Sequence, residues 1–458
     1  MEQVTKGVQL LLGDPKKALI KLSLPMMTAM FVQALYNLVD SIWVAGLGPS
    51  ALASIGVFFP IFMVIVSIAT GISVGASAVI SQQIGRRDKP KADEAATHSL
   101  LFALILGVTM TVVFLLLIGN ILKILNLSTE VYKLSVAYAR IVLSGTILLM
   151  FNNVANGILR GEGDTKRVMY AITFGSVLNI GLDPIFIYIL KLGVAGAALA
   201  TVLSIFSSSL LIIYWMFLKK RTFVTISFRN FKYNGKIVGE ILRIGIPSSL
   251  AQLTMSIVNF VLNVFVVKVA GDFGMAVFTA AWRLIDFARI PLIGIASAVT
   301  SVVGAAYGAK DGQKLNEAHL FSIKFGELIG VGVLVLIVLF APQLALLFTY
   351  TKEGSLIFND LVLSMRVLSL FLPGIPFGMF TSSVFQGVGQ AGKSLVVTIL
   401  RTVVMQVIFC WLFAFALDLG LVGVWFGIVC GNAIGSAITF VWGRNVVKNL
   451  MKAFQSAV

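Results

Sequence analysis

Residues 85–95 read GRRDKPKADEA and residues 308–318 read GAKDGQKLNEA, with Gly, Asp, Lys, Glu and Ala at the same five positions. Three further pairs of similar segments occur in the same order in both halves, at offsets of 222 to 227 residues. One of these pairs is LIKLSLP at 19–25 and ILRIGIP at 241–247. Self-similarity at a nearly constant offset indicates two copies of one structural unit. The chain is therefore expected to contain an internal duplication.

The composition excludes most classes of protein. Hydrophobic residues make up 58% of the 458 residues and charged residues 12%, whereas soluble domains carry about 25% charged residues. This much apolar side chain excludes a cytosolic enzyme, a secreted disulfide scaffold and a disordered chain. The two cysteines, Cys410 and Cys430, lie in apolar runs and form no metal-ligand cluster. The composition predicts a polytopic membrane protein.

Membrane spans are predicted wherever about 20 apolar residues follow one another, because a helix of this length crosses the hydrocarbon core. Twelve stretches qualify, and the repeat offset spans six of them. The fold class predicted is an all-α membrane protein of twelve transmembrane helices in two parallel six-helix halves. The stretches are 19–45, 51–84, 94–120, 130–156, 167–190, 195–218, 240–268, 275–306, 315–341, 357–385, 394–416 and 420–443.

The basic residues predict the orientation, because short cytoplasmic loops are enriched in Lys and Arg. With the N-terminus inside, 24 of the 35 Lys and Arg residues fall in cytoplasmic segments, 5 at the outer side and 6 within spans. A multi-pass protein of the cell (inner) membrane with both termini in the cytoplasm is expected. The predicted domains are an N-lobe at 1–218, a cytoplasmic linker at 219–239 and a C-lobe at 240–458.

Two acids lie inside predicted spans, Asp40 in the first and Asp183 in the fifth. An ionisable residue at the centre of a span costs about 2.5–3.5 kcal/mol on insertion scales, so a retained one indicates a functional site. Counting 1.5 Å per residue from the outer ends places both acids and Thr201 roughly 8–10 Å deep, with Tyr138 roughly 12 Å and Asn179 roughly 16 Å deep. These five polar groups are predicted to share one layer.

This layer fits two ions equally well. Two carboxylates with Asn and Thr oxygens are hard ligands suited to Na⁺, and a desolvated carboxyl beside a like charge also suits a proton. The alternative is a satisfied hydrogen-bond network without a transport role. Pro25 and Pro184 lie within spans, where a proline leaves a carbonyl unpaired and permits a helix bend, although ordinary kinks are an equal alternative.

The second copy lacks the acids. Leu262 occupies the position of Asp40, and Cys410 occupies that of Asp183. The halves are thus predicted to share a scaffold but not the ion chemistry. The remaining charges within spans include Arg283, Asp286 and Arg289, whose spacing of three residues favours local pairing over a role in coupling or substrate contact. The sequence pattern assigns no role to Arg140, Arg366 or Arg401.

The chain has twelve spans in two parallel halves, and each half begins with a Leu-Pro segment. It also carries an Asp in the first span and the set Asn179, Asp183 and Thr201. Together these features resemble those of the multidrug and toxic compound extrusion (MATE) family, in its DinF-like branch. The resemblance covers essentially the whole chain. It implies two lobes around a V-shaped cleft and cation coupling through Asp40, Asn179, Asp183 and Thr201, with Na⁺ as one candidate. It also implies a substrate cavity in the N-lobe, lined by Gln33, Tyr36, Asn37, Tyr138, Asn153 and Asn156.

The resemblance further implies an antiporter that exports drugs and other small organic, often cationic molecules, driven by inward H⁺ or Na⁺. No cofactor, enzymatic activity or nucleic-acid partner is expected, and the protein is expected to act as a monomer in the bilayer. The alternative is a flippase for a lipid-linked precursor, whose pyrophosphate would favour a cationic cleft such as the arginines of the eighth span could supply. A channel is disfavoured because no filter-like repeat or ring of charges is present.

Overall fold

The computed structural model describes residues 5–219, 221–229, 231–350 and 354–456, so that positions 220 and 230 of the predicted linker lie outside the described residues. Within these ranges the chain is helical and contains no strand. The predicted all-α fold is confirmed. In the first half the helices are α1 (Lys6–Leu12), α2 (Pro15–Ala45), α3 (Pro49–Gly85), α4 (Lys89–Ile124), α5 (Thr129–Ser144), α6 (Thr146–Gly161), α7 (Thr165–Pro184) and α8 (Gly193–Ile213).

The second half repeats this order of long helices. They are α9 (Gly235–Ala288), α10 (Ile290–Gly308), α11 (Gly312–Leu346), α12 (Phe358–Ser369), α13 (Ile375–Gly387), α14 (Ala391–Thr398), α15 (Val407–Trp411) and α16 (Gly420–Gln455). In the described residues four π-helical segments continue these helices, at Ile185–Ile189, Tyr214–Leu218, Ile399–Gln406 and Leu412–Ala416.

The number of membrane-spanning helices depends on how broken helices are counted. In the described part of the chain ten helices are long and apolar enough to span a membrane, or eleven if α5 and α6, which are bent by 47°, form one span. Gly271 divides α9 at a non-helical backbone conformation, φ 56° and ψ −148°, so its two parts hold the seventh span and the start of the eighth. The predicted tenth span is the pair α12 and α13. Each of the twelve predicted stretches thus lies in helix apart from short breaks, such as residues 370–374 of the tenth.

Contacts between residues divide the chain into two compact units. The first unit comprises Met1–Leu11 and Thr28–Ser249, and the second comprises Leu12–Met27 and Leu250–Val458. The first residues of α2 therefore belong to the second unit and the first residues of α9 to the first unit. The candidate site described below lies within the first unit.

The repeated segments adopt the same local structure in both halves. Arg87 (φ 59°) and Lys310 (φ 55°) take the left-handed conformation two residues after the ends of α3 and α10. Asp88 then caps α4 by accepting a hydrogen bond from the Lys91 N–H at 3.1 Å, and Asp311 caps α11 by accepting from Lys314 at 2.9 Å. An Asp at this position satisfies an N–H that the first helical turn leaves without a partner. The matching letters of the repeat thus encode a helix end followed by a helix start.

A π-helical turn also recurs in register. It occupies Ile185–Ile189 in the first half and Leu412–Ala416 in the second, at the 227-residue offset found in the sequence. Pro184 precedes the first turn, but Trp411 precedes the second. The turn therefore does not require a proline, and the interpretation of Pro184 as the cause of a bend is not needed to explain it. Pro25 is buried inside α2, which continues as helix on both sides of it.

Side-chain acceptors hold the linker against the rest of the first unit. The Glu162 carboxylate follows α6, is 1% exposed and accepts hydrogen bonds from the Phe223 and Val224 N–H groups at 2.8 and 3.0 Å. Burial raises the pKa of Glu162 to about 8, although these two hydrogen bonds oppose the shift. The Thr225 N–H donates to Asp93 at 2.7 Å. The linker is thus docked by side-chain acceptors rather than free in solution.

Candidate cation-coupling site

The site centres on two carboxyl groups from distant parts of the first unit. Asp40 lies on α2 and Asp183 lies near the end of α7, and their carboxyl groups are within hydrogen-bonding range of each other. Asp183 is completely buried, whereas Asp40 is half-buried. The structure brings together the two acids that the sequence singled out.

Asn179 and Thr201 complete the surroundings of Asp183. Asn179 lies one turn before Asp183 on the same face of α7, as residues four apart in a helix do. With its amide oriented to satisfy its neighbours, Asn179 donates to Asp183 Oδ2 at 2.9 Å and accepts from the Thr201 N–H at 3.2 Å. All four residues assigned to cation coupling therefore meet in one cluster between α2, α7 and α8.

Two tyrosines adjoin the carboxyl pair. The Tyr36 hydroxyl hydrogen-bonds the Thr201 side chain, whose own hydroxyl donates to the Ala197 carbonyl at 3.0 Å. Tyr138, from α5, lies close enough to both carboxyls to interact with them electrostatically. Its ring packs edge-on against Phe58 with the ring centroids 5.7 Å apart. The tyrosines thus provide one hydroxyl contact and an aromatic wall beside the acids.

This arrangement has an excess of acceptors. Asp183 Oδ1 is buried and has no hydrogen-bond donor among the residues that the structure describes. Two ionised carboxylates in contact repel each other, so one proton or one small cation between them relieves both the repulsion and the missing hydrogen bond. The cluster can therefore hold a proton, or can offer carboxylate, amide and hydroxyl oxygens to a hard cation. Within the described residues no group of three or more His, Cys, Asp or Glu side chains forms a further metal site.

Gln33 and Asn37, assigned to the substrate cavity, lie on the same face of α2 as Asp40. They precede it by seven and three residues, spacings that bring side chains to one side of a helix. Both side chains are exposed. They form a polar stripe that leads to the carboxyl pair along α2.

Asn153 and Asn156 belong to a second polar group on α6. Asn156 donates to Asn152 Oδ1 at 2.8 Å, and Asn152 donates to Ser208 Oγ at 3.1 Å. Asn153 donates to the Leu149 carbonyl of its own helix at 3.0 Å. These contacts join α6 to α8 and do not include the carboxyl pair. Sequence reasoning missed Asn152, although it is an amide inside the predicted fourth span.

A partly buried arginine adjoins this second group. Arg160 donates to Ser73 Oγ at 2.7 Å, and Ser73 in turn donates to the Asn153 carbonyl at 2.5 Å. The contact joins α3 to α6. Gly157 lies so close to Ser73 here that a Cβ on it would be 2.5 Å from the Ser73 carbonyl oxygen. Arg160 follows the predicted fourth span, and the sequence does not show that its side chain turns back into the bundle.

In the described part of the second unit, the two positions equivalent to the acids hold no acid. Leu262 and Cys410 replace the two acids, and both are buried, with the Cys410 thiol donating to the Val424 carbonyl at 3.4 Å. On α9 and at the start of α10, Arg289 forms an ion pair with Asp286 at 2.9 Å. The expected local pairing of these two residues is confirmed.

Comparison with known proteins identifies the scaffold. The MatE family model matches residues 25–185 and 247–412, two matches whose starts and ends reproduce the repeat offsets. The chain is 24% identical to a probable multidrug resistance protein, YoeA, of Bacillus subtilis over 93% of this chain and 94% of that protein. It is 27% identical to the multidrug export protein MepA of Staphylococcus aureus over 91% of each.

Solved structures agree over almost the whole length. A MATE family transporter of the MOP superfamily in an outward-facing conformation, described as a multidrug resistance protein, is 51% identical, with a TM-score of 0.96 over 98% of this chain and 100% of that chain. A Pyrococcus furiosus MOP superfamily transporter, whose binding pocket of reverse polarity is said to suggest a different function, is 51% identical, with a TM-score of 0.95 over 98% and 99%. The carboxyl pair lies on a duplicated helical scaffold, and the two family matches reproduce the repeat offset. Together with the agreement between structures, they show that the chain belongs to the MatE family of multi-pass membrane transporters.

Proposed function

We propose that this protein exports small organic molecules from the cytoplasm in exchange for H⁺ or Na⁺, which binds between Asp40 and Asp183. The observation that carries the proposal is the contact between these two carboxyls, with Asp183 Oδ1 buried and without a donor among the described residues. The names of the related multidrug resistance and multidrug export proteins support the substrate class. The family match supports a transporter rather than an enzyme.

Coupling follows from the cost of an empty site. Two ionised carboxylates in a water-excluded pocket are costly to occlude, so the transporter changes conformation only with a cation or a substrate bound. This rule couples the two movements and prevents leak. The membrane potential adds about 2.3 kcal/mol per elementary charge per 100 mV for each inward cation. Tyr36, Asn179 and Thr201 orient the carboxyls and supply oxygens to the ion.

The substrate path is proposed to begin at the polar stripe of Gln33 and Asn37, with Tyr138 as an aromatic wall. Organic cations are attracted to an aromatic face and to carboxylates. The same carboxyls thus serve the ion and the substrate in turn, which is the basis of exchange. We further propose that the protein works as a monomer in the cytoplasmic membrane with both termini inside, as the distribution of basic residues indicates.

The test is counterflow of a cationic dye, ethidium, in proteoliposomes with a pH gradient or a Na⁺ gradient applied in turn. Asp40→Asn removes one carboxylate while preserving size, so the mutant is expected to lose gradient-driven transport completely. The matched control is Asp14→Asn, an acid before α2 outside the site. The ion whose gradient drives the wild type identifies the coupling ion. Gradient-driven transport by Asp40→Asn at the rate of the wild type, under either gradient, would refute the proposal.

A second candidate is flipping of a lipid-linked anionic precursor. It is favoured by the arginines in the spans of the second unit, Arg283, Arg289 and Arg401, because charges within a membrane mark substrate paths. A protein with this function would move a fluorescent lipid pyrophosphate between leaflets and would not exchange ethidium. The dye experiment therefore separates the two candidates.

A further inference from the structure

The second half contains one residue more than the first in the stretch that precedes Cys410. The repeat offset is 226 residues at Gly163 and Gly389 but 227 at Asp183 and Cys410. The structure accommodates the extra residue as the π-helical segment Ile399–Gln406, whereas the corresponding part of α7 is α-helical throughout. An inserted π turn rotates the side chains around it and is frequent at functional sites.

Arg401 lies in this π-helical segment and is 7% exposed. No carboxylate, carbonyl or hydroxyl oxygen of the described residues accepts a hydrogen bond from its guanidinium, and it forms none of the ion pairs found there. The backbone of Arg401 lies ten residues, roughly 15 Å, from the start of α14, within the predicted eleventh span. A buried charge without a partner is strongly unfavourable there.

A second arginine makes the imbalance larger. The Arg289 guanidinium is close enough to repel that of Arg401, while the carboxylate of Asp286 is engaged with Arg289. This region of the second unit therefore carries a net positive charge. An anion would relieve it.

Two glycines shape the slot that Arg401 occupies. A Cβ on Gly435 of α16 would lie 2.7 Å from Arg401 Cα, and a Cβ on Gly378 of α13 would lie 2.5 Å from its Nη1. The same Cβ on Gly378 would lie 2.7 Å from Ser436 Oγ, a buried hydroxyl without a partner among the described residues. The Arg401 guanidinium and the unpartnered Ser436 hydroxyl thus both lie against Gly378.

We propose that Arg401, together with Ser436 and Arg289, forms a binding site for an oxyanion, the carboxylate or phosphate group of an organic anion or of a lipid headgroup. The planar guanidinium matches both groups with two parallel hydrogen bonds. Ser436 adds a donor, and Arg289 adds charge. The proposal concerns binding in the second unit and does not rest on antiport or on the carboxyl pair of the first.

The test is isothermal titration calorimetry of the full-length protein in phosphatidylcholine nanodiscs with three probes of similar size: benzoate, phenyl phosphate and benzyltrimethylammonium. The wild type is expected to bind at least one of the two anions, and Arg401→Gln to weaken that binding at least tenfold while leaving the cation unaffected. Arg366→Gln, the same change at an exposed arginine of the same unit, is the matched control and should bind like the wild type. Absence of anion binding to the wild type, or equal binding by Arg401→Gln, would overturn the proposal.

Thermal unfolding without probe provides an independent test. Because Arg401 lacks a partner, Arg401→Met should unfold at the same or a higher temperature than the wild type, whereas loss of a structural ion pair would lower that temperature. A decrease of several degrees would therefore also overturn the proposal. Nanodiscs that contain phosphatidylglycerol distinguish the two sources of the anion. Loss of benzoate binding in them assigns the site to a lipid headgroup, and retention assigns it to a soluble organic anion.

Discussion

The two halves of this protein share backbone details down to a π-helical turn, yet carry opposite charges in their membrane-embedded cores. The first half places Asp40 and Asp183 in contact, whereas the second has Leu262 and Cys410 at those positions. The second half instead buries Arg401, and the first half has no arginine at the equivalent position. A duplicated scaffold is thus preserved by backbone and packing requirements, while a few core side chains are free to diverge and carry the chemistry.

The largest expected effect comes from placing an acid in the second half. Cys410→Asp introduces a carboxyl at a completely buried position. Leu262 stands at the position equivalent to Asp40, so the new carboxyl has no second acid to pair with. The variant is expected to lose about 2.5–3.5 kcal/mol of stability, the cost of an acid within a span, and to gain no additional cation coupling. Thermal unfolding in detergent and ethidium counterflow measure these effects. Cys410→Ser, which keeps a donor for the Val424 carbonyl, is the control and should be much less destabilised; an equally stable Cys410→Asp would show that this half tolerates an acid.

The second prediction concerns Glu162, which is replaced by Val388 in the second copy. Because burial raises its pKa from 4.5 to about 8, docking of the linker is strongest below pH 4.5 and weakens as the pH rises through 8. Hydrogen exchange of the Phe223 and Val224 amides, corrected for intrinsic rates, is expected to accelerate across this range.

Glu162→Gln keeps an acceptor for both amides but cannot ionise, so its corrected exchange should not depend on pH. Asp93→Asn, a change at another acceptor of the same linker, should retain the pH dependence. Protection of the wild-type amides that stays constant from pH 5 to pH 9 would contradict the prediction.

Smaller effects are expected at the two equivalent helix caps. Asp88→Ala and Asp311→Ala each remove a cap of the same geometry, and each should cost about 0.5–2 kcal/mol. If the repeat preserves energetics as well as shape, the two losses of unfolding free energy in denaturant titrations will agree within experimental error. A cap that matters in only one half would show that the copies have diverged in their loops as well as in their cores.

The smallest effect is expected at Pro184. Since the turn after Trp411 is π-helical without a proline, Pro184→Ala should leave the turn at Ile185–Ile189 intact and change the free energy of unfolding by less than about 1 kcal/mol. A structure of the variant tests the first expectation and thermal unfolding the second. Conversion of the turn to an α-helix would restore the proline as its cause.

Much of the site was accessible from the sequence because charges within a span are rare and therefore informative. Asp40 and Asp183 stood out in this way, and depth counting placed Asn179, Thr201 and Tyr138 at similar heights. Depth does not specify which face of a helix meets which neighbour. The resemblance, not depth, assigned Asn153 and Asn156 to the cavity, and in the structure they bond to Leu149 and Asn152 of their own helix. Helix rotation is decided by packing, which a span count does not contain.

The sequence by itself determined the membrane environment, the helical class, the duplication and the family, because hydrophobic length, repeat offset and caps are local properties written in consecutive residues. Only the tertiary structure decided that the two carboxyls meet, that Glu162 holds the linker and that Arg401 enters the bundle without a partner. These depend on contacts between segments as much as 143 residues apart, as for Asp40 and Asp183. Their geometry is set by how helices pack around glycines and small side chains, not by the order of residues along any one helix.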